Sequence, residues 1–427
     1  MLRFAPTPTQ DMNIDDLRVA LFNHILSKQL NEELIVRIED SEKEKIIEGK
    51  EKEIMEMLAL FGIDFTRAVH QSDYIKYHTQ MGMKLLLDKK AFNCFCSDEA
   101  LQSDKEKAKQ EGKQYSYSGF CETISDEAKF NCNAPFVVRL KKPSHNIKFS
   151  DPLKGELDFT ADDVDSVIIL GKEKLPTYNF ACAVDDMLLD ITTVVRDESQ
   201  LTDTARQIHI RESLGYEKEI NYIHLPTILN NKSDEKSSLS IKSLIDEGFL
   251  PAAIANYLVL LGNTPKNDIF TIEEAIEWFD VCKLSKEPVE FDIDKLKSLN
   301  QEHLKLLDDM RLSKILGYAD TDIGKLAKIY IDECSTIKNI KEKIKTIFSE
   351  KTTLDGYDEE FRSLKECLQK APFIEEFENL KKYITDKTKL SDDKLLIPLS
   401  FALTGEANEP KLERIYPLIR NYLGEII

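Results

Sequence analysis

Near the N-terminus the apolar positions switch between two periods. Leu2–Ala5 is short and apolar and is stopped by Pro6 and Pro8, which predicts a strand feeding a loop. From about Asp16 to Gln29, Leu17, Ala20, Leu21, His24 and Ile25 fall on one face at helical spacing. Leu34-Ile35-Val36-Arg37-Ile38 predicts a buried strand that ends at Glu39-Asp40. Ile46 to Phe61 predicts a second amphipathic helix, closed by Gly62. Strand, helix, strand, helix is the opening of an α/β parallel sheet.

Residues 79–181 change texture. They hold Cys94-Phe95-Cys96, a lysine-rich helix over Asp98–Lys113, and strand-like runs at Pro135–Leu140 and Val167–Leu170. This predicts an α+β insertion between two halves of the sheet, residues 1–78 and 182–240, with strands returning at Ile191–Val195 and Tyr222–Leu225. Lys232–Ser240 reads as a polar loop. From about Ile241 nearly everything has helical period, with turns at Gly248, Gly262, Gly356 and Gly405.

A chain of 427 residues exceeds one hydrophobic core. Its 42% hydrophobic and 32% charged content is ordinary for a globular protein. No apolar run approaches the ~18 residues of a membrane span, and no signal-peptide pattern opens the chain, so a cytoplasmic location is expected. The eight cysteines are scattered and fit a reducing compartment better than a disulfide framework. A net charge of −19 argues against broad, nonspecific nucleic-acid binding while leaving room for a local basic track.

Separated blocks then carry a family resemblance. They are Arg3-Phe4-Ala5-Pro6-Thr7-Pro8-Thr9, Arg37-Ile38-Glu39-Asp40, Pro176-Thr177-Tyr178-Asn179-Phe180-Ala181 followed by Val184-Asp185-Asp186, Val194-Val195-Arg196 and Ala252–Gly262. Pro398-Leu399, Ala402–Gly405 and Tyr416-Pro417 continue the series toward the end. In this order the chain resembles the class I aminoacyl-tRNA synthetases specific for glutamate over essentially its whole length. The resemblance implies a Rossmann-like catalytic domain (1–78 and 182–240) interrupted by an acceptor-stem-binding insertion (79–181). A stem-contact segment (241–300) and an all-α anticodon-binding region (301–427) would follow. It implies L-glutamate, ATP with Mg²⁺, and a tRNA of glutamate or glutamine type as ligands of a monomer with no membrane association.

By the same resemblance Arg3 and Arg196 take the two carboxylates of glutamate, Glu39 receives its ammonium group and Tyr178 supplies a hydroxyl. Ala5 and Thr7 line the same wall. The chemistry suits the residue types, because a guanidinium fork bonds both oxygens of a carboxylate. Taken singly, Arg37 or Glu39 would read as a strand-end ion pair and Tyr178 as core.

On the nucleotide side the residues depart from the family. Where the family has a turn glycine, a histidine and two further glycines, this chain has Gln10, Asn13, Asp15 and Asp16. The family's Lys-Met-Ser-Lys loop is replaced by Asn231–Ser238, with Lys232 and Lys236 as the remaining cations, and its Gly-Glu-Asp-His block by Asp197–Gln200. The catalytic candidates that survive are Asn13, Lys232 and Lys236. A carboxylate about 4 Å from a phosphate charge costs about 1 kcal/mol in water and about 4 at a surface-like dielectric. Asp15 and Asp16 would instead stabilise a helix start by ~0.3–1 kcal/mol each, or hold a Mg²⁺ that bridges to ATP. Three functions stay open: a glutamate–tRNA ligase whose nucleotide motifs are altered, a non-catalytic paralogue that keeps glutamate or tRNA binding as a sensor, scaffold or competitor, and a ligase with a different acceptor or a changed nucleotide.

Cys94, Cys96, Tyr117 and Cys121 have the spacing at which some of the resembled enzymes bind a structural Zn²⁺. Without the resemblance they read as buried free cysteines.

Overall fold

The computed structural model describes residues 1–113, 115–230 and 239–427, which gather into two compact units. The first comprises Met1–Ile241 and Leu258–Phe291, the second Lys242–Tyr257 and Asp292–Ile427.

The first unit opens with β1 (Leu2–Phe4), α1 (Ile14–Leu30), β2 (Leu34–Ile38), α2 (Lys50–Leu60), β3 (Arg67–His70) and α3 (Ile75–Leu87). The insertion contributes β4 (Ala91–Cys94), α4 (Asp98–Gln110), α5 (Asp126–Phe130) and β5 (Val137–Leu140). It continues with the hairpin β6 (Ile147–Asp151) and β7 (Gly155–Phe159), then α6 (Ala161–Val164) and β8 (Ile168–Leu170). The chain returns through α7 (Tyr178–Leu188), β9 (Thr193–Asp197), α8 (Leu201–Leu214) and β10 (Asn221–Leu225).

The main sheet has the order β10-β9-β1-β2-β3, and every pair in it is parallel. In the insertion β4, β5 and β8 pair antiparallel. Since β2 and β3 lie to one side of β1 and β9 and β10 to the other, the strand order reverses beside β1. Open α/β sheets place their ligand crevices at the carboxyl ends of strands flanking such a point.

Helix α1 starts on a reciprocal cap. The Asn13 side chain accepts from the Asp16 backbone N–H at 2.9 Å, and the Asp16 carboxylate accepts from the Asn13 N–H at 3.2 Å. The helix is buried well beyond the single stripe its spacing predicted, because it packs on the sheet and against the helix Ile272–Trp278, with Phe22 stacked on Phe279 at 4.9 Å. Arg18 is buried too, its guanidinium donating to the carbonyls of Pro226 at 2.7 Å and Leu261 at 3.1 Å. Helix α2 begins at Lys50 rather than Ile46, since Gly49 has φ 85°, which a right-handed helix cannot continue through. One parallel pair escaped the sequence reading: Ile228–Asn230 with Val289–Phe291, which places a strand inside the stretch read as helical. Three residues are too few to show alternation.

The second unit is helical from Ile293–Leu306 onward, around a core that includes Leu304, Leu326, Ile344, Leu380 and Leu399. Among the described residues no helix is long and apolar enough to cross a membrane. In this unit Asp309–Leu316 and Thr321–Ile329 pack so closely that a Cβ at Gly324 would lie 1.8 Å from the Asp309 carbonyl oxygen. Backbone cannot yield as a side-chain tip can. Gly324→Ala is expected to cost about 1–3 kcal/mol or more, measured by denaturant unfolding.

Candidate active site at the strand ends

A cleft of about 370 Å³ opens where β1, β2 and β9 end and α1 begins. Arg3, Ala5, Thr7, Glu39, Tyr178 and Arg196 all line it. Three strands and α7 supply these residues, so the parallel sheet converges them from positions far apart in the chain. Asn13 is not among the lining residues, its side chain being spent on the cap of α1. Lys232 and Lys236 lie outside the described residues.

Beneath the cleft is a buried ionic network. Arg3 donates through Nε and Nη2 to the two oxygens of Asp186, at 3.2 and 3.4 Å. Arg37 pairs with the same Asp186 at 2.5 Å and with Glu39 at 3.0 Å, so the strand-end ion pair is present alongside the cleft residues. Burial alone would raise the Asp186 carboxyl, but the Arg3 and Arg37 guanidinium groups hold it below the usual carboxylate range. The neighbouring Asp185 accepts from Gln71 Nε2 at 2.8 Å and meets His78 Nε2 at 2.5 Å.

Glu39 is oriented through one oxygen. Its Oε1 accepts from Arg37 and, at 3.2 Å, from the Cys182 thiol, while Oε2 lies 3.5 Å from the Thr7 hydroxyl at the cleft wall. Burial first, then the Glu39 charge, pushes the Cys182 thiol up, so it acts as a neutral donor. Cys182 went unnoticed in the sequence, although it lies one helical turn after Tyr178. The Tyr178 hydroxyl accepts from Gln200 Nε2 at 3.0 Å, which leaves its own proton to donate; burial raises its pKa and keeps it protonated. Arg196 holds both acceptors on one nitrogen: Nη1 donates to Thr204 Oγ1 at 3.2 Å and Gln207 Oε1 at 3.0 Å. Its Nε–H is buried with no protein partner among the described residues.

The other end of the cleft is acidic, lined by Asp15, Asp16 and Asp197 with Gln10 and Ser199. Asp15 is buried, its Oδ1 lying 3.4 Å from the Ile228 N–H. Burial lowers Arg18 to about 10, and the charges of Asp15, Asp197 and Glu198 oppose that fall. Asp197 caps the short turn that follows it, accepting from the Ser199 N–H at 3.0 Å. Glu198 accepts from the Thr227 N–H at 2.8 Å and pairs with Lys154. Each departure from the family pattern in this block therefore has a local partner.

In the insertion the sulfurs of Cys94, Cys96 and Cys121 lie within 4.8 Å of one another. The Tyr117 hydroxyl is 3.4 Å from Cys94 Sγ and 3.5 Å from Cys96 Sγ. None of the three cysteines is disulfide-bonded. Burial pushes Cys96 up to about 11, whereas bonds from Tyr117, the Cys96 backbone and Arg139 overcome burial at Cys94 and lower it. Three soft sulfur donors and a phenol oxygen at this separation fit a tetrahedral metal ion.

Asp186→Asn would leave two buried guanidinium groups without their shared counter-charge. The expected loss is about 3–5 kcal/mol in denaturant unfolding at neutral pH. The Asp186 carboxyl sits lower in the folded chain than its ordinary 3.8. Its contribution is therefore whole above that pH and is lost as pH falls through the lower folded value, an acid limb the variant should lack.

Comparison with known proteins converges on one family. A family model described as tRNA synthetases class I (E and Q), catalytic domain, matches residues 1–298. Glutamate–tRNA ligase 2 of Sulfurimonas denitrificans is 48% identical over 431 residues, covering 100% of both chains. Glutamate–tRNA ligase 1 of Campylobacter jejuni is 47% identical over 430 residues, covering 100% of this chain and 99% of its own. Among solved structures, a glutamate tRNA ligase from Elizabethkingia meningosepticum in complex with its amino acid superposes with a TM-score of 0.83 at 22% identity. That match covers 100% of this chain and 97% of the other, and at such identity it speaks for the fold alone. With two thirds of its length under the family model and full-length relatives near half identity, the chain belongs to the glutamate–tRNA ligase family of class I synthetases.

Proposed function

We propose that the chain is a glutamate–tRNA ligase, joining L-glutamate to a tRNA of glutamate or glutamine type at the expense of ATP. The observation that carries this reading is the convergence of Arg3, Arg196, Glu39 and Tyr178 on one cleft at the switch point of the sheet. Arg196 offers its Nε edge to one carboxylate of glutamate, and Arg3, clamped by Asp186, offers its remaining N–H groups to the other. Glu39 Oε2 receives the ammonium group, and Tyr178 donates its hydroxyl proton. So held, a glutamate carboxylate oxygen attacks the α-phosphorus of ATP and pyrophosphate leaves. The terminal tRNA hydroxyl then attacks the acyl carbon and AMP leaves. Catalysis of both steps is positioning and charge stabilisation.

Magnesium bound to ATP would neutralise charge on the leaving pyrophosphate. Asp15 and Asp16 do not suit that ion, since Asp16 closes the helix cap and Asp15 lies buried against Arg18 and the Ile228 N–H. The insertion is read as the acceptor-stem contact and the helical end as the anticodon contact. Cys94, Cys96, Cys121 and Tyr117 would hold a Zn²⁺ that staples the insertion.

A second reading, a non-catalytic family member that senses glutamate or occupies tRNA, is favoured by the Asn13–Asp16 cap. The cap consumes backbone N–H groups at a helix start and puts a carboxylate on the nucleotide side of the cleft.

Pyrophosphate exchange and charging, each with glutamate- and glutamine-type tRNA present, decide between the two. The ligase reading expects charging, with Arg196→Ala lowering it at least about a hundredfold by removing a buried charge-assisted contact. Glutamate binding by calorimetry without exchange or charging would establish the second reading. For the insertion, elemental analysis is expected to find zinc in the purified protein and to lose it in Cys121→Ser, with faster proteolysis of residues 91–170. A metal-free wild type of equal protease resistance would refute the staple.

A further inference from the structure

Arg196 is held by a chain of buried groups that starts in the insertion. Asp151, at the end of β6, directs Oδ1 to the N–H groups of Leu153 and Lys154 at 2.7 and 2.9 Å. Its Oδ2 accepts from the His224 backbone N–H and meets His224 Nδ1, both at 2.8 Å. His224, on β10, places Nε2 2.8 Å from the Thr204 hydroxyl on α8, and Thr204 accepts from Arg196 Nη1 at 3.2 Å. Asp151, His224 and Thr204 are buried, at 1%, 0% and 0% exposure, and none of them lines the cleft.

The proton inventory gives the chain a direction. An ionised carboxylate only accepts, so His224 carries its proton on Nδ1. Burial lowers the His224 pKa and keeps the ring neutral, so it accepts at Nε2, and the single hydroxyl proton of Thr204 goes to that nitrogen at 2.8 Å in preference to the Gln200 carbonyl at 3.2 Å. That leaves a Thr204 lone pair for Arg196. Gln207, the other acceptor of Nη1, is oriented in turn by donating to Asn179 Oδ1 at 2.9 Å. Both protons of Nη1 are thereby committed, and the Nε–Nη2 edge, the pair of parallel N–H bonds that matches a carboxylate, is the one kept for the ligand.

We propose that Asp151, His224 and Thr204 form a positioning relay that fixes the Arg196 guanidinium, making these three residues determinants of glutamate affinity and of its discrimination from glutamine. The inference rests on the reading of the cleft as a glutamate site. Glutamine would present an N–H₂ donor to the donor edge of Arg196, so selectivity depends on that edge being unable to rotate away.

Calorimetry with L-glutamate and L-glutamine on the full chain tests it, together with ¹⁵N NMR of the histidine rings and arginine Nε–H groups. Thr204→Val is expected to weaken glutamate binding about tenfold and to narrow the preference over glutamine. Thr204→Ser restores both. Asp151→Asn, remote from the cleft, shifts affinity in the same direction as Thr204→Val. The His224 spectrum shows the proton on Nδ1, and the Arg196 Nε–H signal, assigned by its loss in Arg196→Lys, broadens in Thr204→Val. Unchanged affinity and selectivity in a folded Thr204→Val, or a loss that Thr204→Ser does not restore, overturns the relay. Failure of the wild type to bind glutamate overturns the reading of the cleft instead. The relay then stands or falls on NMR: a proton on Nε2, or an Arg196 signal unaltered by Thr204→Val, refutes it.

Discussion

One carboxylate, Asp186, sits between Arg3 and Arg37 under the floor of the cleft, and the binding geometry depends on it. Two guanidinium groups brought together without an intervening anion would repel and rotate apart. With it, Arg3 presents a defined face and Arg37 is free to brace Glu39. A buried ionic group is a poor source of net stability but a costly thing to leave half-built. That asymmetry suits a binding site, where the value of the network is that it has one arrangement.

The two ends of the cleft follow opposite electrostatic rules within a few residues of one another. At one end Arg3 is held by the buried Asp186 and Arg196 by Thr204 and Gln207, each with N–H groups left over. At the other, carboxylates line the wall, and the helix start that could have met an anion is already satisfied by its own side chains. The same segment, the loop from Ala5 to Asn13 and the first turn of α1, spans both regimes, so the boundary between them is set by a few residues of backbone. A ligand that bridges the cleft must change sign of interaction along its length.

How much of this was legible in the sequence varied with the physics of each feature. Helix α1 announced itself by helical spacing and strands β2, β9 and β10 by short runs rich in apolar side chains, as strands buried on both faces require. The cleft-lining residues stood out through ordered blocks rather than pattern; Arg3, Glu39 and Tyr178 share no period, and only the fold unites them. Arg18 was read as nothing in particular, since a buried arginine looks like a surface one until its carbonyl acceptors, from Pro226 and Leu261, are known. Asp151 and His224 were likewise ordinary polar residues in strands. Their meeting is created by the insertion folding back against β10, a long-range event that no local spacing encodes. Lys232 and Lys236 fall outside the described residues, so that part of the reading stays where the sequence left it.

The cap at the start of α1 has a consequence for how this chain can change. Each bond of the cap runs from one residue's backbone N–H to the other's side chain, so replacing either side chain forfeits one hydrogen bond, about 0.5–2 kcal/mol of helix stability, and leaves the other in place. A route toward a basic or glycine-lined helix start can therefore proceed one substitution at a time, each step giving up a single bond. The two halves of the cap are separable in descent: the acidic character of that end of the cleft can be kept or lost in parts.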